Sequence, residues 1–126
     1  MPRILMIDDD RSLLKMTRDF LESQGWTFQG AETSVEGLAM AARERPDLIL
    51  LDVNLPDLDG FAVCRKVKAD PVLGRVPIVL ISGDRRKAED ILKGLEAQGA
   101  DGYVLKPFPV TVLKAKLEAV LRAYQP

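Results

Sequence analysis

The sequence predicts an α/β fold in which one five-stranded parallel sheet is covered on both faces by five helices. Five short, mostly apolar runs alternate with five longer segments of helical period, as in a chain that passes from strand to parallel strand through helices. Two of the runs, Leu48-Ile49-Leu50-Leu51 and Ile78-Val79-Leu80-Ile81, are apolar without alternation, as central strands buried on both faces must be. The chain has 126 residues, 47% of them hydrophobic and 29% charged, which suffices for one domain with a real core and leaves no room for a second.

The strands are expected at Arg3 to Ile7, Trp26 to Gly30, Leu48 to Leu51, Pro77 to Ile81 and Gly102 to Leu105, the second carrying the weakest pattern. Between them, the first helix shows Leu13, Thr17, Phe20 and Leu21 at helical spacing. The second begins at Thr33, which has capping-box spacing to Glu36, and its pattern predicts that Val35, Leu38, Ala39 and Ala42 are buried. A third runs from about Asp59 to Ala69 with Phe61, Cys64 and Val67 and ends before Asp70-Pro71. The fourth presents Ala88, Ile91, Leu92 and Leu95 and stops near Gly99; the fifth starts after Pro109 and shows Leu113, Leu117, Val120 and Leu121.

Composition narrows the chemistry. The formal net charge is -1 with Lys and Arg dispersed along the chain, which argues against direct nucleic-acid binding. No stretch approaches the roughly 18 apolar residues of a membrane helix, and Met1 to Ile7 is too short for a secretion signal, so a soluble cytoplasmic protein without a membrane partner is expected. The single cysteine, Cys64, cannot form an internal disulfide, and its helical setting predicts a buried inert thiol. The chain has no histidine, which removes Ser/His and Cys/His dyads, His-ligated zinc and a histidine phosphocarrier together. Any chemistry must run on carboxylates, hydroxyls and lysine.

In a parallel sheet every strand end that feeds a helix lies on one edge, where ligands of such folds bind. Strand one is followed there by Asp8, Asp9 and Asp10, strand three by Asp52, strand four by Ser82 and Gly83, and strand five by Lys106. In a flavodoxin-like doubly wound order, 2-1-3-4-5, strands one and three are neighbours, so the acidic pair and Asp52 converge while Ser82 and Lys106 close in from the other side. Carboxylates within about 5 Å repel by roughly 3 kcal/mol per pair at an effective dielectric near 20, and one lysine cannot neutralise three. A hard, oxygen-seeking divalent cation can, and Mg²⁺ suits a site of few carboxylates with room for water. Its charge and that of Lys106 would then balance an arriving phosphoryl group of about -1.5 to -2, for which a carboxylate is a covalent acceptor. Asp52, held between an apolar strand and the turn Val53-Asn54-Leu55-Pro56, is the expected acceptor.

Four segments carry a resemblance: Ile7-Asp8-Asp9-Asp10; Leu50 to Pro56 around Asp52, with Asp59-Gly60; Val79 to Gly83; and Gly102 to Phe108 around Lys106-Pro107. In order and spacing these resemble the signatures of the receiver domain of bacterial two-component response regulators, in its single-domain, chemotaxis-regulator-like form, and the likeness covers residues 1–126. It implies that Asp8 and Asp9 hold Mg²⁺ with Asp52 and the backbone carbonyl of Asn54. Asp52 would take the phosphoryl group from a partner phosphohistidine, on a histidine kinase or a histidine phosphotransfer protein. Ser82 would hydrogen-bond one phosphoryl oxygen and Lys106 would pair with another. Ser82 and Tyr103, the aromatic that turns inward on activation, would form the switch. The surface of helix four, strand five and helix five would then control an output protein or domain. Two departures stand out: Ser82 replaces the commoner threonine, and a third acid, Asp10, follows the pair, where it is expected to cap helix one.

Such a protein is a phosphoacceptor switch, catalysing only its own phosphorylation and dephosphorylation. Three other readings fit less well. A haloacid-dehalogenase-like phosphatase needs an aspartate two residues after the nucleophile, where Asn54 stands. A flavin or nucleotide carrier lacks a glycine-rich phosphate loop here, and a receiver relic would have lost an acid, the hydroxyl or the lysine.

Overall fold

The computed structural model describes residues 2–95 and 100–124. Their elements alternate as β1 (Arg3–Ile7), α1 (Arg11–Ser23), β2 (Thr27–Ala31), α2 (Ser34–Glu44), β3 (Leu48–Asp52), α3 (Gly60–Ala69), β4 (Ile78–Ser82), α4 (Arg85–Leu95), β5 (Ala100–Leu105) and α5 (Val110–Ala123). The five strands form one parallel sheet in the order β2-β1-β3-β4-β5, as the strand pattern predicts.

Strand alternation divides the core in two. Leu5, Ile7, Ile49, Leu51, Ile78 and Leu80 face α2 and α3, where Met40, Ala41, Val63, Cys64 and Val67 meet them. Ile4, Met6, Leu48, Leu50, Val79 and Ile81 face α1 and α5, against Leu14, Leu21, Leu113, Leu117 and Val120. All five residues of β3 and of β4 are buried, which is why those strands read as unbroken apolar runs. Burial also pushes the Cys64 thiol up to about 12, so it stays protonated and inert as expected.

Helix starts follow local chemistry. Asp10 caps α1 by accepting from the Leu13 N–H at 3.0 Å, Thr33 caps α2 through Glu36 N–H, and Asp59 caps α3 through Ala62 N–H. The burial of α2 differs from expectation. Val35 is 67% exposed, Ala39 and Ala42 are also exposed, Leu38 is half-buried, and Ser34, Gly37, Met40 and Ala41 face inward. The cause is close packing: a Cβ at Gly37 would stand 2.4 Å from Ile7 Cδ1, so the helix turns its smallest residues, not its most apolar ones, toward β1. Leu13 and Phe20 of α1 and Leu121 of α5 are likewise only half-buried, at the margins of the core. On α4, the side chains of Ala88, Ile91, Leu92 and Leu95, and the expected stop near Gly99, lie outside the described residues.

Strand two starts one residue later than expected, because Trp26 is consumed in closing α1: its N–H donates to Leu21 O and its side chain is buried beside α1 and α5. Strands three and four each extend one residue further, to Asp52 and Ser82.

Candidate functional site

The sheet's hydrogen-bond ladder continues beyond its strands on the edge that feeds the helices. Asp8 N–H donates to Ala31 O at 2.9 Å, Val53 N–H to Ile81 O at 3.1 Å, and Lys106 N–H to Ser82 O at 2.8 Å. These bonds fix the backbone at or beside Asp8, Asp52, Ser82 and Lys106. Rigid strand ends, rather than loops, therefore aim the side chains.

Carboxylate oxygens of Asp8, Asp9 and Asp52 lie within 4.8 Å of one another. Asp8 is 0% and Asp52 5% exposed, whereas Asp9 is open to solvent. The two buried acids are held alike. Asp8 Oδ1 accepts from Asp10 N–H at 2.9 Å and Asp52 Oδ1 from Asn54 N–H at 2.9 Å, each an Asx turn two residues long. Each then turns Oδ2 toward Lys106, whose Nζ lies 2.8 Å from Asp8 and 3.2 Å from Asp52.

Lysine bonds Asp52 but does not satisfy Asp8. Asp8 Oδ2 is buried with the ammonium as counter-charge but with no donor in hydrogen-bond geometry. Burial raises the Asp8 pKa above the usual carboxylate range, Lys106 and the Asp10 N–H pull it back, and the Asp52 charge pushes it further up. Burial also works against the Lys106 charge, but Asp8 and then Asp52 outweigh it, so the net shift is upward. A buried oxygen short of donors, between two further carboxylates, suits a small oxygen-seeking cation, and the donor set fits Mg²⁺.

The remaining predicted residues lie on β4, β5 and the segment after β3. Ser82 is 1% exposed at the end of β4, with its hydroxyl donating to Asp84 O and accepting from Asp84 N–H, both at 3.1 Å. Tyr103 on β5 is half-buried against the core and donates its hydroxyl to Glu89 Oε1 of α4 at 3.3 Å. Asn54 follows the acceptor strand, and its side-chain oxygen accepts from Lys87 of α4. Sequence reasoning missed two participants, Lys87 and Asp57. Asp57 accepts from the N–H groups of Ser34 and Val35 at 2.9 and 3.0 Å. Their partners lie 33 and 22 to 23 residues away, so no local pattern announces them.

Residues 4–118 match the family described as the response regulator receiver domain. The chain is 42% identical over 122 residues to the transcriptional regulatory protein AfsQ1 of Streptomyces coelicolor, covering 97% of this chain and 52% of that protein. It is 38% identical to the DNA-binding dual master transcriptional regulator RpaA of Synechocystis, again over 97% of this chain and 50% of the relative. The chain thus spans about half the length of these relatives. Among solved structures, a CheY-like receiver domain protein from Methanospirillum hungatei superposes with a TM-score of 0.89 at 29% identity, covering 98% of this chain and 96% of that one. The chemotaxis response regulator CheY4 of Vibrio cholerae gives 0.88 at 29% identity, with 95% and 98% covered. With its strand order, its acidic edge and these matches, the chain belongs to the receiver domains of two-component response regulators.

Proposed function

We propose that residues 1–126 act as one cytoplasmic phosphoacceptor switch in which Asp52 takes a phosphoryl group, with Mg²⁺ held by Asp8, Asp9, Asp52 and the Asn54 carbonyl. One observation carries this reading. Asp52 is a buried carboxylate at a strand end, with one oxygen fixed by Asn54 N–H and the other on Lys106, among carboxylate oxygens lying within 4.8 Å of one another. Phosphorylation of an aspartate with Mg²⁺ is typical of the family.

In the transfer step an Asp52 carboxylate oxygen attacks phosphorus, the P–N bond of a partner's phosphohistidine breaks, and the imidazole keeps its electron pair. Mg²⁺, when bound, neutralises charge on the phosphoryl oxygens and the crowded acids. Lys106 moves its ammonium from the Asp52 oxygen to a phosphoryl oxygen, and the Asx turn keeps the acceptor aligned. Ser82 exchanges its two contacts with Asp84 for a phosphoryl oxygen. Since Asp84 immediately precedes α4, that exchange pulls on α4, loosens Glu89 from Tyr103 and lets the ring turn inward. The surface of α4, β5 and α5 then carries the signal to an output protein or domain. The phosphodonor is a histidine kinase or a histidine phosphotransfer protein.

Incubation with Mg²⁺ and acetyl phosphate should add one phosphoryl group to the intact mass of the wild type and none to Asp52→Asn. An undiminished gain in the variant would rule out Asp52. With beryllium fluoride as the phosphoryl mimic, amide shifts should extend into Asp84 to Leu95 and Tyr103 to Lys114. Shifts confined to Asp8, Asp9, Asp52 and Lys106 would reduce the domain to a phosphoryl relay without a conformational output.

A further inference from the structure

The first N–H groups of a helix have no partner within it. In α2, Glu36 N–H is met by Thr33, three residues before it in the chain. Ser34 and Val35 N–H groups are met by both oxygens of Asp57, at 2.9 and 3.0 Å, from the loop between β3 and α3. Ser34 Oγ adds a bond to Leu58 O at 3.3 Å. The middle of the acceptor loop is thus clamped to the start of α2.

Other fixings lie on either side of that clamp. Asn54 N–H is tied to Asp52, and Leu55 is buried in the core. At the far end Asp59 caps α3, and Gly60 N–H donates to Val53 O at 3.2 Å. That approach is tight: a Cβ on Gly60 would lie 3.0 Å from Val53 Cα. Three residues before the clamp stands Asn54, the one proposed metal ligand that acts through its backbone, with its N–H on Asp52. A backbone carbonyl has no side-chain rotor to correct its aim, so its position is only as good as the loop's.

We propose that Asp57 is a positioning residue for the metal: by holding the first two N–H groups of α2, it orders the loop that presents the Asn54 carbonyl and sets Mg²⁺ affinity without touching the ion. This rests on the metal site proposed above. A carboxylate bound to two N–H groups is a strong, charge-assisted anchor.

The test compares two caps of the same helix. Asp57→Ala removes the clamp from the loop, whereas Thr33→Ala removes a cap bond that runs only from Glu36 N–H to Thr33. Titrating each protein with Mg²⁺ alone, without phosphodonor, and following amide shifts by NMR gives Kd directly. Asp57→Ala should weaken Mg²⁺ binding about fivefold, in keeping with the loss of a charge-assisted anchor, with Asp57→Asn in between because its amide keeps one acceptor. Thr33→Ala should lower Tm in chelator as much as Asp57→Ala does, yet leave Kd within about twofold, since a lost cap costs similar stability wherever its acceptor comes from. An unchanged Kd in Asp57→Ala, or equal weakening in Thr33→Ala, overturns the proposal. Should Asp57→Ala not fold, Asp57→Asn against Thr33→Ala decides by the same criterion. A wild type with no saturable Mg²⁺ response instead overturns the metal reading, and this inference with it.

Discussion

The two edges of the sheet use aspartate in opposite ways. At the edge where the strands begin, Asp47 Oδ2 accepts from Arg3 N–H at 2.7 Å and Asp101 Oδ2 from Ile78 N–H at 2.8 Å, so each closes an open strand start. Asp101 also takes the Tyr124 hydroxyl, and burial together with this carboxylate pushes that phenol up to about 12. At the edge where the strands end, Asp8 and Asp52 each spend one oxygen on a local N–H and leave the other to share a single lysine. Acids that complete backbone hydrogen bonds close strand starts, whereas the crowded acids at the other edge form a group that could hold a metal ion. The same residue type completes the sheet at one edge and forms the proposed site at the other, and accounting for donors tells the two apart.

The largest expected effect tests the functional edge. Mg²⁺ at about 100 times its dissociation constant should stabilise the protein by roughly 2.7 kcal/mol, read as a shift in denaturant midpoint. Asp8→Asn should abolish that gain while being no less stable than the wild type in chelator, because it removes a charge that burial and the neighbouring Asp52 carboxylate disfavour. A metal response undiminished in this variant would put the cation elsewhere.

The structural edge should behave conversely. Asp101→Ala leaves the Ile78 N–H without its acceptor and frees Tyr124, and should cost about 1–2 kcal/mol. Its Mg²⁺ affinity, measured by amide shifts, should stay that of the wild type. Loss of affinity there would show that the two edges are coupled through β4 and β5.

The edges also differ in pH response. Folding raises the Asp8 pKa above its ordinary 3.8, so just above that pH the folded protein keeps a proton that the unfolded chain has lost. Metal-free stability should therefore fall as pH rises through the interval between 3.8 and the folded value, and this component should vanish in Asp8→Asn. Asp57 has the opposite sign. The Ser34 N–H outweighs desolvation and, with the Val35 N–H, holds its pKa below 3.8, so its contribution is present above 3.8 and is lost as pH falls through the lowered value. Denaturant melts in chelator between pH 3 and 7 for the wild type, Asp8→Asn and Asp57→Asn separate the two slopes.

How much of this was legible in the sequence follows from how local each cause is. Strand order, the acidic edge and the Asp10 and Thr33 caps depend on apolar runs and on residues at most three apart, and all appear as read. The buried face of α2 was misread because hydrophobicity favours Val35, whereas the distance of the helix from β1 requires glycine against Ile7. Asp57 and Lys87 were invisible because their partners lie on other elements, at separations that only the folded chain closes. Ser82 was placed correctly in the chain, but its engagement with Asp84 is a matter of rotamer, which no sequence pattern states.

The smallest effect is expected at the sole tryptophan, which reports from the structural edge. Trp26 is buried beside α1 and α5 and immediately precedes Thr27, which pairs with Arg3 at the start of β1. Asp8 follows the other end of that strand, five residues on, which at 3.3 Å per residue is about 16 Å away. Sheet and helices fill the space between with close-packed side chains, so a cation at Asp8 has neither direct contact with the indole nor a loose segment through which to move it. Trp26 emission should therefore stay nearly constant through a Mg²⁺ titration that saturates the amide shifts of Asp8 and Asp52. Strong quenching in step with those shifts would mean that metal binding rearranges the start of the sheet as well as its end. The division of labour between the two edges would then fail, even if the metal site itself stood.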